Sequence, residues 1–160
     1  MALQIGAKAP DFTLKSFTPT EDAVDISLSS YRGKNVILLF FPQAFTGVCT
    51  TEMCTMSDNF NQYRSLNAEV LGISTDGTFV QKAFAKQNNI QVPLLSDFNK
   101  EVINLYDVYL PEFAHGMKGT SQRAVFVIDK DGVVKYVEVT KSPGDMVNFD
   151  GIKEALSSLK

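Results

Sequence analysis

The sequence is short of cysteine and histidine. Its 160 residues hold two cysteines and one histidine, with no tryptophan. Two cysteines make no disulfide scaffold. Spaced C-x4-C, with His115 far away, they make no zinc site, so no metal is expected. Basic excess is missing too. Fifteen Lys and Arg stand against eighteen Asp and Glu, a net charge of −3, and they are scattered along the chain. A nucleic-acid binder needs a basic face to neutralise phosphates, so no nucleic-acid partner is expected. No apolar run approaches the roughly 18 residues of a spanning helix, and no membrane role is expected. Met1 to Lys8 lacks the basic segment and long apolar stretch of a secretory signal, which points to a cytoplasmic protein. Neither G-x-x-x-x-G-K nor G-x-G-x-x-G occurs, so no nucleotide cofactor is expected.

What is present suits an ordinary globular chain. Apolar residues make up 44% and charged residues 21%, near the averages for such chains. No repeat, charge block or linker divides the sequence. The expectation is one domain spanning residues 1–160.

Periodicity alternates between strand and helix. Residues 35–41 form a nearly continuous apolar run, as in a strand buried on both faces, and Pro42 stops it. Over residues 50–66, Met53, Met56, Phe60, Tyr63 and Leu66 recur three or four apart, which predicts one helix. A second strand is expected at 69–75, and a helix at 78–88 with Phe79, Val80, Ala83 and Phe84 on its apolar face. A short strand near Pro93–Ser96 and a helix near 99–106 follow. Arg123–Asp129 and Val133–Thr140 flank Lys130-Asp131-Gly132, a hairpin turn. Residues 148–159 close with a helix. The first thirty residues read as short strands at Phe12–Leu14 and Val24–Leu28, and Gly116–Gln122 as a polar loop. This order predicts an α/β fold: a mixed central β-sheet with helices on both faces and an N-terminal β extension. It is compatible with a thioredoxin-like sandwich.

Sites in open α/β sheets form where strands lead into helices at their carboxyl ends. The loop leaving the 35–41 strand runs from Pro42 to Val48 and delivers Cys49 to the start of a helix. Free N–H groups and a partial positive charge there favour a thiolate, which is the nucleophile. A buried, inert core cysteine is the plainer alternative. Thr46 is placed to hydrogen-bond the sulfur or to cap the helix. Glu52 stands where a capping-box acid reaches back to a free N–H. Arg123 heads the apolar strand Ala124–Ile128, a costly place for an unpartnered charge. Beside Cys49 it would stabilise negative charge. Alone it would be a strand-end salt bridge.

Cys54 follows Cys49 by five. In a regular helix their Cα atoms lie about 8.7 Å apart, from 1.5 Å rise, 100° per residue and 2.3 Å radius. A disulfide needs less than about 7 Å, so that bond requires the first turns to unwind. His115 reads as a loop residue.

Pro42-x-x-x-Thr46-x-x-Cys49, with Arg123 heading Arg-Ala-Val-Phe-Val-Ile-Asp, resembles the peroxiredoxin active-site signature. The opening Gly6-x-x-Ala9-Pro10-Asp11-Phe12-Thr13-Leu14 resembles the start of these proteins, and the likeness runs over nearly the whole chain. The resemblance implies a thioredoxin-like fold and a thiol-dependent peroxidase acting on hydrogen peroxide or alkyl hydroperoxides. It implies that Cys49 is the peroxidatic cysteine, forming a sulfenic acid. Thr46 and Arg123 would hold the peroxide, Pro42 would shield the sulfur, and Glu52 would support the arginine. Cys54 resembles the resolving cysteine of the Q-type (bacterioferritin-comigratory) branch, which forms an intramolecular disulfide. Phe45-Thr46-Gly47-Val48 instead resembles the one-cysteine, AhpE-like branch, which uses an external thiol. The implied partners are the peroxide and thioredoxin or a similar dithiol, in a monomer or homodimer. A disulfide reductase would carry C-x-x-C in place of C-x4-C. A binding module of the same fold would not need Thr46 or Arg123. A peroxide-sensing relay would share the site and pass its oxidation to a partner protein.

Overall fold

The computed structural model describes residues 3–159. Strand β3 (Asn35–Phe40) is buried along its whole length and forms the spine. It pairs in parallel with β4 (Ala68–Ser74), which pairs in parallel with β5 (Leu94–Ser96). On its other side β3 pairs antiparallel with β8 (Ala124–Ile128), and β8 with β9 (Val134–Val139). The N-terminal strands β1 (Thr13–Ser16) and β2 (Val24–Ser27) extend the sheet past β5. The order is β2-β1-β5-β4-β3-β8-β9.

Alternation along β3 divides the core in two. Ile37 and Leu39 point to one face, and Val36, Leu38 and Phe40 to the other. The first face packs under four helices: α1 (Gly47–Asp58), α2 (Phe60–Ser65), α3 (Thr78–Asn88) and α5 (Phe149–Ser157). The second is covered by the single short helix α4 (Glu101–Leu105), Tyr106 and the N-terminal segment through Phe12 and Leu28. Each fully buried Leu, Ile or Phe contributes about 1.5–3 kcal/mol of transfer free energy. Gly72 lets α1 come close to β4. A Cβ there would lie 2.8 Å from Leu94 Cδ2 and 2.9 Å from Met53 Cε. Among the described residues no helix is long and apolar enough to cross a membrane.

Three local expectations are corrected. The helix expected over 50–66 begins earlier, at Gly47, and breaks at Asn59 into α1 and α2. Asn59 both follows α1 and precedes α2, and its Nδ2 donates to the Thr55 carbonyl at 2.9 Å. Such side-chain bonding competes with the helical ladder. In α3 the buried face is Gln81, Phe84 and Ala85, while Phe79 and Val80 are 72% and 44% exposed. The polar stretch expected as a loop, Gly116–Gln122, contains strand β7 (Lys118–Ser121), which pairs antiparallel with β6 (Tyr109–Glu112) before it. His115 lies exposed in the turn between them with φ 58°.

Candidate active site

The site forms where β3 ends beside the start of β8. Their antiparallel register pairs Phe40 with Ala124. The residue before Ala124 is Arg123, so it meets the chain leaving β3. That chain passes through buried Pro42 and turns back into α1, with Cys49 as the third helical residue.

Cys49 is fully buried, and Arg123 Nη2 lies 3.2 Å from its Sγ. Arg123 Nη1 donates to Glu52 Oε1 at 2.8 Å. Nε and Nη2 also donate to the Pro143 carbonyl, at 3.2 and 2.7 Å. The guanidinium is therefore held in a fixed plane with one edge toward the sulfur. Glu52 lies one helical turn after Cys49, on the same face of α1. It does not complete a capping box: its Oε1 takes the arginine, and its Oε2 is buried without a hydrogen-bond partner. Burial pushes the Glu52 carboxyl up to about 7 against the pull of Arg123, with a further small push from Glu138. The charge of Arg123 is thus shared between a carboxyl and a sulfur in a dry site, where electrostatic interactions are strong.

Thr46 stands at the N-cap with extended backbone, but its side chain neither caps the helix nor bonds the sulfur. Thr46 Oγ1 donates to the Gln43 carbonyl at 2.7 Å, closing the loop on itself. Its oxygen is left as an acceptor. Within the loop, Phe45 adopts φ 69° and lays its ring against Phe84 at 5.2 Å. Cys54 is on the same helix as Cys49 but is turned to α3, its Sγ 3.9 Å from the Asn88 carbonyl. Both cysteines are free.

Cys49, Arg123 and Glu52 are therefore in direct register, with Thr46 and Pro42 in the loop that delivers Cys49. Cys54 is not brought to Cys49. Residues that sequence reading missed are Asp76, which accepts the Ala44 N–H at 2.8 Å, and the Pro143 carbonyl. Asp76 had a legible signal, since it sits at the carboxyl end of a strand next to β3. Pro143 had none.

Residues 5–137 match the model of the AhpC/TSA family. The chain belongs to that family. It is 34% identical over 160 residues to alkyl hydroperoxide reductase E of Mycobacterium tuberculosis, covering 98% of each protein. It is 36% identical over 147 residues to a chloroplastic 2-cysteine peroxiredoxin of Chattonella marina, covering 87% of this chain and 72% of that one. The crystal structure of Enterococcus faecalis AhpC superposes with a TM-score of 0.84 at 28% identity, over 99% of this chain and 92% of that one. The fold is the thioredoxin-like fold of peroxiredoxins, and this AhpC/TSA member is a thiol-dependent peroxidase.

Proposed function

We propose that Cys49 is the peroxidatic nucleophile of a single catalytic domain spanning residues 1–160. The observation that carries this is the 3.2 Å contact of Arg123 Nη2 with a fully buried Cys49 Sγ. The guanidinium and the N-terminus of α1 both place positive potential at the sulfur, where the attacking charge sits. The thiolate attacks one peroxide oxygen, an S–O bond forms and the O–O bond breaks. Sulfur is oxidised to the sulfenic acid, the peroxide is reduced, and water or an alcohol leaves with a proton.

Arg123 and Thr46 orient the peroxide. Four of the five guanidinium N–H groups are used by Cys49, Glu52 and Pro143, leaving one on Nη1 for a peroxide oxygen. Thr46 has committed its proton to Gln43, so its oxygen accepts from the peroxide O–H. Pro42 closes the site to water, and Glu52 holds the arginine in plane. Oriented donors where charge develops are what such a displacement needs.

Cys54 then resolves the sulfenic acid. Its thiolate attacks Cys49 Sγ, an S–S bond forms and water leaves. This requires the first turns of α1 to unwind and Cys54 to leave Asn88. A thioredoxin-type dithiol restores both thiols. Two free cysteines suit a cytoplasmic protein, acting as a monomer or homodimer on hydrogen peroxide or alkyl hydroperoxides. A second reading has specific support: Cys54 faces Asn88 in the reduced protein, and the chain matches alkyl hydroperoxide reductase E over 98% of its length. In that reading an external thiol resolves Cys49. Intact mass after one equivalent of hydrogen peroxide separates the two. Loss of two hydrogens is the expected result, gain of oxygen gives the second reading, and no change refutes both.

A further inference from the structure

The loop that carries Pro42 and Thr46 has one backbone tie to the rest of the protein that a catalytic contact does not explain. Ala44 is buried, and its N–H donates to Asp76 Oδ2 at 2.8 Å. Asp76 lies two residues beyond the end of β4. Its carboxylate is held in turn. Ser74 Oγ donates to the same Oδ2 at 2.8 Å, and Ser96 Oγ donates to the Asp76 carbonyl at 2.7 Å.

The direction of these bonds is fixed. Gln81 Nε2 donates to Ser74 Oγ at 2.9 Å and to the Leu95 carbonyl at 2.9 Å. The Ser74 hydroxyl accepts from Gln81, so its own proton goes to Asp76. Ser74 and Gln81 are fully buried. Asp76 is thus the acceptor at the end of a one-way chain, and the ends of β4 and β5 and the first turn of α3 all fix where it stands. One group of this buried network, Gln81 Oε1, has no partner; the bonds that are made lie in a low-dielectric interior, where each is strengthened.

The loop needs such a tie. Phe45, next to Ala44, sits at φ 69°. A bulky residue in that region is strained and persists only where its surroundings over-determine it. Apart from the start of α1, where Thr50 and Thr51 donate to the Thr46 and Gly47 carbonyls, the loop also makes its internal Thr46–Gln43 bond and a 3.6 Å contact of Gln43 Nε2 with Met117 Sδ.

We infer that Asp76 is a positioning residue of the peroxidase reaction: through the Ala44 N–H it fixes the loop conformation that sets Thr46 and Pro42 against Cys49. The inference rests on the roles given above to Cys49 and Thr46. Asp76 does not touch Arg123 or Glu52, so its effect is on peroxide placement and not on thiolate formation.

The test uses the reduced full-length chain. Rapid-mixing kinetics give the rate constant for Cys49 oxidation by hydrogen peroxide, thiolate absorbance against pH gives its ionisation, and thermal melts give stability. Asp76→Ala is expected to lower the rate constant about tenfold or more, the scale of a lost charged hydrogen bond. The thiolate titration stays at its wild-type position. Asp76→Asn keeps a side-chain oxygen for Ala44 and is expected to recover most of the rate, ending about threefold below wild type. Adding Thr46→Val to Asp76→Ala is expected to cost less than Thr46→Val alone, because the hydroxyl has already lost its place. A folded Asp76→Ala that reacts at the wild-type rate overturns the inference. So do additive losses in the double variant, or a thiolate titration that moves along with the rate. If Asp76→Ala does not fold, Asp76→Asn decides: an undiminished rate refutes positioning. Wild-type protein that does not react with peroxide overturns the reading of Cys49 itself, whatever the variants do.

Discussion

Arg123 and Glu52 form an ion pair of 2.8 Å with side chains only 1% and 0% exposed. Such pairs are weak evidence of net stabilisation, but removing one partner strands the other. Arg123→Met is therefore expected to destabilise by about 3–5 kcal/mol, because Glu52 is left buried without its cation. Adding Glu52→Gln should restore part of that loss. Urea unfolding of the single and double variants checks this, and a double variant less stable than Arg123→Met contradicts it.

Glu52 also predicts a pH dependence. Its carboxyl is raised from 4.5 to about 7 by burial. The folded state therefore holds a proton that the unfolded state has released over this window. Stability contributed by the group is fully present below about pH 4.5 and is lost as pH rises through about 7, a change on the order of 3 kcal/mol. Glu52→Gln should flatten that part of the curve. The check is denaturant unfolding of wild type and variant at matched pH values. Asp76 and Asp97 are raised in the same direction, so the difference between the two proteins is the quantity to read.

Arg123→Lys keeps the charge and loses the fork. One ammonium cannot serve Cys49, Glu52 and Pro143 together, and a repositioned donor costs about 100- to 1000-fold in comparable sites. The second-order rate constant with peroxide is expected to fall by that order. A loss under threefold would remove Arg123 from the reaction.

Cys54→Ser is expected to react with the first equivalent of peroxide at the wild-type rate and to stop there. Its mass should rise by one oxygen, where wild type loses two hydrogens. An unchanged disulfide yield, or loss of the first step, would count against Cys54 as the resolving thiol.

Gly72→Ala should destabilise by about 1–3 kcal/mol through overpacking. The new methyl would meet Leu94 and Met53 at under 3 Å. Since Met53 sits one turn after Cys49 on α1, the variant should also slow peroxide reduction. A denaturation midpoint equal to wild type would refute the steric account.

The legible part of the fold was the part written in apolar spacing. The all-apolar run at β3 and the hairpin of β8 and β9 came out within a residue or two. In α3 an apolar count misled, because Gln81 is buried by its bonds to Ser74 and Leu95 while Phe79 faces outward. Pairing of β6 and β7 was invisible because neither strand has a buried alternating face. The position of Cys49 at a loop-to-helix junction could be read from the residues. Its contact with Arg123, 74 positions later, depends on strand register, which no local pattern encodes.

That register has a consequence for assembly of the sheet. Phe40 opposite Ala124 is what aims Arg123 at the helical face. Side chains alternate along a strand, so a slip of β8 by a single residue would turn the arginine to the other side. There it would enter a layer of Phe40, Tyr106 and Phe126, away from Glu52 and the Pro143 carbonyl. The same slip would leave Glu52 alone in the opposite layer. A misaligned sheet thus separates a buried cation from its carboxyl partner, and the candidate site serves as a proofreading mark for the fold that holds it.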